Sequence, residues 1–335
     1  MDTPHPRLSP EEHAARLKDV ILPESRLDQV TSQPMPRAIV LAGQPGAGKG
    51  GLVKAVEIEL SDDVVKVDPD ELRGAHPDAR LLRQQHPYTW AGHTHEDASQ
   101  WAKELRSTAV EGRRNLILDT TLGNGDSAVS LIKDLQANGY DVEIRGVVAH
   151  RLESELGVDA RFSNSLDSRG FGRYVPEDVR KHVYDALPGN LDKVQAETGI
   201  QIRLYGREGA QVYDSHSDTR LPGAALEAER EARLKDPRIT QSLRDGWRAQ
   251  GRWHAELGDT LPLNDKVSPP TAAAVFDERA TLKVVEGITP NIQEARVIDH
   301  TIRVRPNMVR GAVIGGAAAT VVEAATEGTK IADLY

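Results

Sequence analysis

The sequence contains no cysteine. Disulfides, thiolate metal sites and a cysteine nucleophile are therefore excluded, and the chain is indifferent to redox compartment. It also lacks a surplus of positive charge: 42 lysines and arginines stand against 51 acidic residues, a formal charge of −9. That balance disfavours a broad nucleic-acid-binding surface, yet leaves individual basic residues free to bind an anionic substrate. Nor is there a long hydrophobic run. The stretch Gly311 to Val322 (GAVIGGAAATVV) falls short of the roughly 18 residues that a membrane span requires, and reads as a glycine-rich helix that is buried or faces a partner. The opening MDTPHPRLSPEEHAARLKD has acidic residues and no apolar core, unlike a secretory signal. A soluble, cytoplasmic protein is the expectation, and 335 residues supply one large domain or two ordinary ones.

What is present is organised around Arg37 to Leu60, RAIVLAGQPGAGKGGLVKAVEIEL. Ala38 to Leu41 is a short apolar run that reads as a strand buried on both faces. It leads into Gly43-Gln44-Pro45-Gly46-Ala47-Gly48-Lys49, and Leu52, Val53, Ala55, Val56 and Ile58 then recur at the spacing of a packed helix. Strand, glycine loop and helix form the context of a P-loop, whose main-chain N–H groups close around phosphate oxygens while the lysine supplies a point charge. The segment Gly43 to Gly50 is thus expected to hold the triphosphate of ATP or GTP with Mg²⁺. One hydroxyl is missing. Ser or Thr ordinarily follows the lysine and binds Mg²⁺, whereas Gly50 and Gly51 stand here, so protein ligands to the ion must come from elsewhere or be replaced by water.

Along the chain, Ser9-Pro10-Glu11-Glu12 predicts a capped helix to about Val20. Strands are expected at 64–67, 115–118 and 142–148, with helices at 93–112 and 126–136 between them and a long loop at 74–92. This alternation predicts an α/β fold with a parallel sheet wrapped by helices on both faces. Ligands then sit beyond the carboxyl ends of the strands, where the sequence places the glycine loop, Asp68 and Asp70, Asp119 and Thr121, and His150 and Arg151. Further helices are expected at 152–166 and 176–187, with Arg161 and Arg173 in or beside them, then two strands around the turn Gly206 to Gly209. A boundary is placed at 214–222, dividing a domain of residues 1–215 from a mainly helical C-terminal region, 216–335, helical in pattern from Leu226 to Leu257.

Several residues have a plainer reading beside the functional one. Asp68 reads as a surface cap on the short helix after Pro69, with Asp70 the carboxylate that points inward. His93 and His95, two apart, do not share a helix face and suit capping or surface roles better than a metal. Trp90 and Trp101 suit core packing better than stacking on a base.

The pieces LAGQPGAGKG, VDPDELRGAHP, NLILDTTLGN, the arginines of DARF and FGRYVP, and ALPGNLDKV leading to IRLYGREG resemble, in order over about residues 35 to 215, the zeta toxin family of P-loop kinases. The resemblance implies ATP-dependent phosphorylation of a sugar hydroxyl, best known as that of UDP-N-acetylglucosamine, with related enzymes acting on NAD. It implies that Lys49 holds the phosphates, Asp70 is the catalytic base, and Arg161 and Arg173 neutralise the transferred phosphoryl. Asp119, where the family often has Glu, and its hydroxyl partner Thr121 are implied near substrate and metal. A substrate-contacting Glu is implied in the helix before them and is assigned to Glu96, since Lys103 and Glu104 fit the register no better. An antitoxin or immunity protein is the implied partner. A kinase of NAD, a nucleoside or an antibiotic, and a nucleotide-binding module without catalysis, remain the alternatives.

Overall fold

The computed structural model of the protein describes residues 7–85, 90–169, 171–175 and 177–260. Helix α1 (Pro10–Arg16) begins with a reciprocal cap, the Ser9 hydroxyl accepting from the Glu12 N–H at 3.2 Å while the Glu12 carboxylate accepts from the Ser9 N–H at 3.1 Å. A π-helical turn leads to α2 (Leu22–Glu24). Strand and helix then alternate: β1 (Arg37–Ala42), α3 (Gly50–Glu59), β2 (Val65–Val67) and the short α4 (Pro69–Leu72), then α5 (Ala79–Gln85), α6 (Trp90–His93) and α7 (His95–Glu111). Next come β3 (Leu116–Asp119), α8 (Gly125–Ala137), β4 (Asp141–Val148), α9 (Arg151–Arg169) and α10 (Glu177–Thr198). The hairpin β5 (Gln201–Gly206) and β6 (Gln211–Asp214) precedes α11 (Pro222–Arg233) and α12 (Pro237–Thr260).

The six strands form one sheet in the order β2-β3-β1-β4-β5-β6. Five run parallel and β6 alone runs antiparallel to β5, so the sheet is mixed at one edge rather than wholly parallel. Period-two alternation sends Ala38, Val40 and Ala42 of β1 into a core shared with α7, α8, α10 and α11, and Ile39 and Leu41 into one shared with Leu52, Val53 and Val56 of α3. The P-loop strand is thereby central, with β3 and β4 on either side.

Two expectations require correction. Within 74–92 the described residues carry α5 and α6 rather than only loop, because Leu82, Trp90 and Ala91 bury one another in a small cluster; a contact between positions eight and nine apart leaves no helical period to read. The stretch from Leu226 to Leu257 is two helices, divided before Pro237, which starts α12 in the position where a missing N–H costs nothing. Ala225 and Leu226 of α11 lie in the sheet's own core, and Leu243 and Trp247 of α12 pack on Leu152 and Phe162 of α9. The glycine-rich stretch Gly311 to Val322 lies outside the described residues; no described helix is long and apolar enough to cross a membrane.

Candidate active site

β1 runs into the glycine loop, where Gly46 and Gly48 take φ values of +80° and +103°, a region that excludes most side chains. The loop is held by groups distant in sequence. A Cβ on Gly46 would overlap the Ser154 carbonyl oxygen, and a Cβ on Gly157 would overlap the Gly46 carbonyl, so α9 rests on the loop glycine against glycine. The buried Gln44 side chain donates to the Ala149 carbonyl at 2.9 Å and accepts from Arg230 at 3.2 Å. Arg207, in the β5–β6 turn, donates to the Gly46 carbonyl at 2.9 Å and the Glu153 carbonyl at 3.2 Å. Ala47 is buried against the α3 side of the sheet, and Pro45 is half-buried at the loop's tip.

Lys49 joins the ends of the adjacent strands β1 and β3. Its ammonium lies 2.9 Å from the Asp119 carboxylate and donates to the Thr120 carbonyl at 2.6 Å and the Gly43 carbonyl at 3.3 Å. The register that sets Leu41 opposite Asp119 makes this contact. Gly50 opens α3, and a Cβ there would meet nothing within 4 Å.

At the end of β2, the two aspartates divide their work. Asp68 caps α4 by accepting from the Asp70 N–H at 2.9 Å, though it is largely buried rather than at the surface. Burial, then the charges of Asp119 and Asp70, push its carboxyl up to about 6. Asp70 forms ion pairs with Arg173 and, at 3.1 Å, with Arg73. Burial alone would raise its carboxyl; Arg173 and then Arg73 overrule that and hold it at about 2. Arg73 is fully buried and also donates to the Ala91 carbonyl and to His95 Nδ1, the latter at 3.0 Å. With Nδ1 accepting, the His95 proton sits on Nε2, 3.4 Å from the Ser99 hydroxyl. Burial, then the charge of Arg73, keeps that ring neutral down to about pH 4. His95 is thus a buried ligand of Arg73, not a cap or a surface residue.

Arg161 follows Gly157 by one turn on the same face of α9, so the glycine contact carries it over the loop. It is exposed yet surrounded by protein, the mark of a side chain lining an open cleft; burial and then the charge of Arg173 push its pKa down, opposed by Asp70, Asp68 and Asp119. Lys49, Asp70, Asp119, Arg161 and Arg173 therefore share one electrostatic neighbourhood at the carboxyl ends of the strands.

Residues 24–218 match the family model described as Zeta toxin. The chain belongs to the zeta toxin family. It is 27% identical over 212 residues to Toxin zeta of Streptococcus pyogenes, covering 62% of this chain and 74% of that protein. It is 27% identical over 191 residues to Toxin PezT of Streptococcus pneumoniae, covering 56% of this chain and 75% of that one. A solved chain from the PezAT chromosomal toxin–antitoxin system of Streptococcus pneumoniae superposes with a TM-score of 0.65 at 21% identity, covering 73% of this chain and 98% of that one. This likeness shows a common fold, and membership of the family makes a kinase-type phosphotransferase the coarse description of the site.

Within this zeta toxin family chain, two further expected residues make a local turn contact and a surface ion pair. Thr121 accepts from the Gly123 N–H at 3.3 Å in a local turn. Glu96, in the first turn of α7, is exposed and paired with Arg7 at 2.7 Å. Trp101 is wholly buried and stacks on His13 at 4.9 Å, and Trp90 is buried with its N–H donating to the Gly172 carbonyl at 2.9 Å. Three arginines that hold the site were missed. Arg73 had a signal, its i+3 spacing from Asp70 on one short helix; Arg207 and Arg230 had none, because the residues they hold lie more than 150 positions away.

Proposed function

We propose that the protein is an ATP-dependent phosphotransferase that phosphorylates a hydroxyl of a nucleotide sugar such as UDP-N-acetylglucosamine, with toxic effect on the cell in which it acts. The reading rests on one juxtaposition: a lysine-bearing phosphate loop beside a carboxylate that two arginines already hold in place. Phosphoryl transfer asks a protein mainly for positioning and charge neutralisation. In the proposed step, Asp70 takes the acceptor O–H proton as that oxygen bonds to the γ-phosphorus. The bond from phosphorus to the bridging oxygen breaks, and its electron pair leaves with ADP. Lys49 steadies the β and γ oxygens while Arg161 and Arg173 face the moving phosphoryl. Arg173 is thus asked to serve two anions in turn. Drawn toward the γ-phosphate, it leaves Asp70 with one cation fewer, and the base strengthens when the donor is in place.

Mg²⁺, when bound, supplies further neutralisation of the phosphate oxygens. Asp119, with Asp68 beside it, offers the carboxylate oxygens that suit this ion, and a cation there would relieve the part of the rise in Asp68 that comes, after burial, from the charge of Asp119. Among the described residues no three acidic or histidine side chains close on one point, which suits an ion that takes its other ligands from phosphate and water. We place the action in the cytoplasm, with a neutralising antitoxin or immunity protein as partner, by analogy with the relatives.

Incubating the full chain with ATP and UDP-N-acetylglucosamine, NAD, a nucleoside, an antibiotic alcohol or no acceptor tests the proposal. Phosphorylated nucleotide sugar is expected, with Asp70→Ala lowering turnover by about 10²-fold or more. Turnover on NAD or another acceptor alone transfers the assignment to that substrate. ATP binding without turnover on any of them would favour a non-catalytic nucleotide-binding module, the reading to which the missing hydroxyl at Gly50 points.

A further inference from the structure

Arg83, on α5, stands over two aromatic rings, its guanidinium carbon 4.1 Å from the centre of Phe171 and 4.5 Å from that of Trp90. The rings meet edge to face at 88°. Arg169, at the end of α9, lies 5.5 Å from the same Phe171 ring. Other arginines of the fold, Arg145 and Arg233 among them, are closed by carboxylates. Arg83 and Arg169 have no acidic partner among the described residues; Arg169 donates to the Ser165 hydroxyl at 2.9 Å, and Arg83 Nε is buried without a hydrogen-bond partner. Burial, then the charge of Arg169, lowers the pKa of Arg83, with no carboxylate to oppose them. Two guanidiniums brought to one ring repel each other, and an anion removes that cost. The aromatic faces meanwhile fix their planes for bidentate hydrogen bonding.

The position of the pair is as informative as its charge. Trp90 precedes Ala91, whose carbonyl holds Arg73 and through it Asp70. Its N–H holds the Gly172 carbonyl, and Phe171 and Arg173 flank that residue. Along α9, Gly157 rests on the phosphate loop, Arg161 follows one turn later, and Arg169 lies about 12 Å beyond Arg161 at 1.5 Å per residue. Donor phosphates, transferred phosphoryl and the paired arginines therefore come in that order along one rod. We infer that Arg83 and Arg169 form an anion subsite on the side of Asp70 away from the phosphate loop, one that takes a phosphate or diphosphate group carried by the acceptor. An uncharged sugar or antibiotic leaves it unfilled. Calling its occupant the acceptor rests on the phosphotransferase reading above; the subsite itself does not.

The test is a titration of UDP, and in parallel of uridine, into the full chain saturated with a non-hydrolysable ATP analogue, so that the phosphate loop is already filled. UDP is expected to bind and uridine to bind at least tenfold more weakly, a factor of ten corresponding to about 1.4 kcal/mol. Arg83→Ala and Arg169→Ala should each weaken UDP by about tenfold or more while leaving affinity for the ATP analogue unchanged, and Arg83→Lys should recover part of the loss. Arg169 is exposed, so its variant answers the question even if Arg83→Ala fails to fold. Equal affinity for UDP and uridine, no binding of either, or UDP affinity unchanged in Arg169→Ala overturns the subsite. Absence of turnover on every acceptor refutes the proposed activity instead, and the UDP titration still decides the subsite.

Discussion

Position 50 shows how a single side chain separates binding from chemistry. The loop has every glycine that a phosphate cradle needs, and then offers no hydroxyl after Lys49. Sterics do not require this, since a Cβ on Gly50 meets only open space and its φ is not positive. Gly50→Ser should lower, severalfold, the Mg²⁺ concentration that half-saturates turnover, and should stabilise α3 by no more than about 0.5 kcal/mol, the difference in helix propensity between serine and glycine. An Mg²⁺ dependence unaltered by the new hydroxyl would show that the ion is held elsewhere. Asp68 carries a second prediction at this scale. Its folded carboxyl titrates near 6, above the unfolded value of about 3.9. The folded state therefore holds the proton more tightly, and stability is lost as pH rises from about 4 to about 6. Asp68→Asn keeps an oxygen to cap α4 and removes the charge. Its melting temperature should exceed that of the wild type at pH 7, by an amount equivalent to about 1–3 kcal/mol, and coincide with it near pH 4. A gain that persists at pH 4 would mean that removal of the buried charge is not its source.

Helix α9 sets the geometry of the site, because its position against the loop decides where Arg161 falls. The contact that fixes it is backbone on backbone, Gly157 against Gly46. Gly157→Ala must push the helix off the loop, and is expected to destabilise the fold by about 1–3 kcal/mol and to abolish the thermal stabilisation that ATP confers on the wild type. Gly189→Ala is the matched control. It too lies inside a long helix, α10, but its Cβ meets nothing within 4 Å, so it should gain up to about 1 kcal/mol with the ATP response intact. If both variants respond to ATP alike, the close approach is not what positions the loop. The contrast also explains what could be seen beforehand. Gly46 and Gly48 announce themselves within seven residues of Lys49, because the need for positive φ is local. Gly157 reads as an ordinary helix glycine, since the atom that demands it lies 111 positions away. Asp70 and Asp119 could be placed beforehand because strand order alone brings strand ends together, whereas Arg161, inside α9, and Arg173, beyond it, were singled out only by the family resemblance. The anchoring of Asp70 by buried Arg73 and His95 was not legible, for it depends on α4 packing against α7.

Over the whole molecule, the sheet was readable from alternating apolar runs, whereas the attachment of its last helices was not. A polar, turn-rich stretch at 214–222 looks like a linker in one dimension. In three, the chain crosses it and returns to the core. The family-model match ends at residue 218, yet α11 lies beyond that point and places Ala225 and Leu226, both fully buried, among the side chains of the sheet. The same helix sends Arg230 to Gln44 of the phosphate loop and Arg233 to Glu153 at 2.5 Å and Glu208 at 2.7 Å. Burial of a leucine side chain alone contributes about 1.5–3 kcal/mol, a large share of the 5–15 kcal/mol that holds a domain together. A chain ended at residue 218 should therefore expose part of the sheet core, aggregate or melt well below the full protein, and fail to bind ATP. In the full chain, Leu226→Ala should lower stability by about 2–5 kcal/mol, and Arg230→Ala should weaken ATP with a smaller change in melting temperature, because the loop loses its support while the core stays filled. Melting curves and ATP titrations on these three proteins decide the matter. A 1–218 fragment that melts with the full chain and binds ATP equally well would show that α11 is an appendage rather than part of the site's foundation.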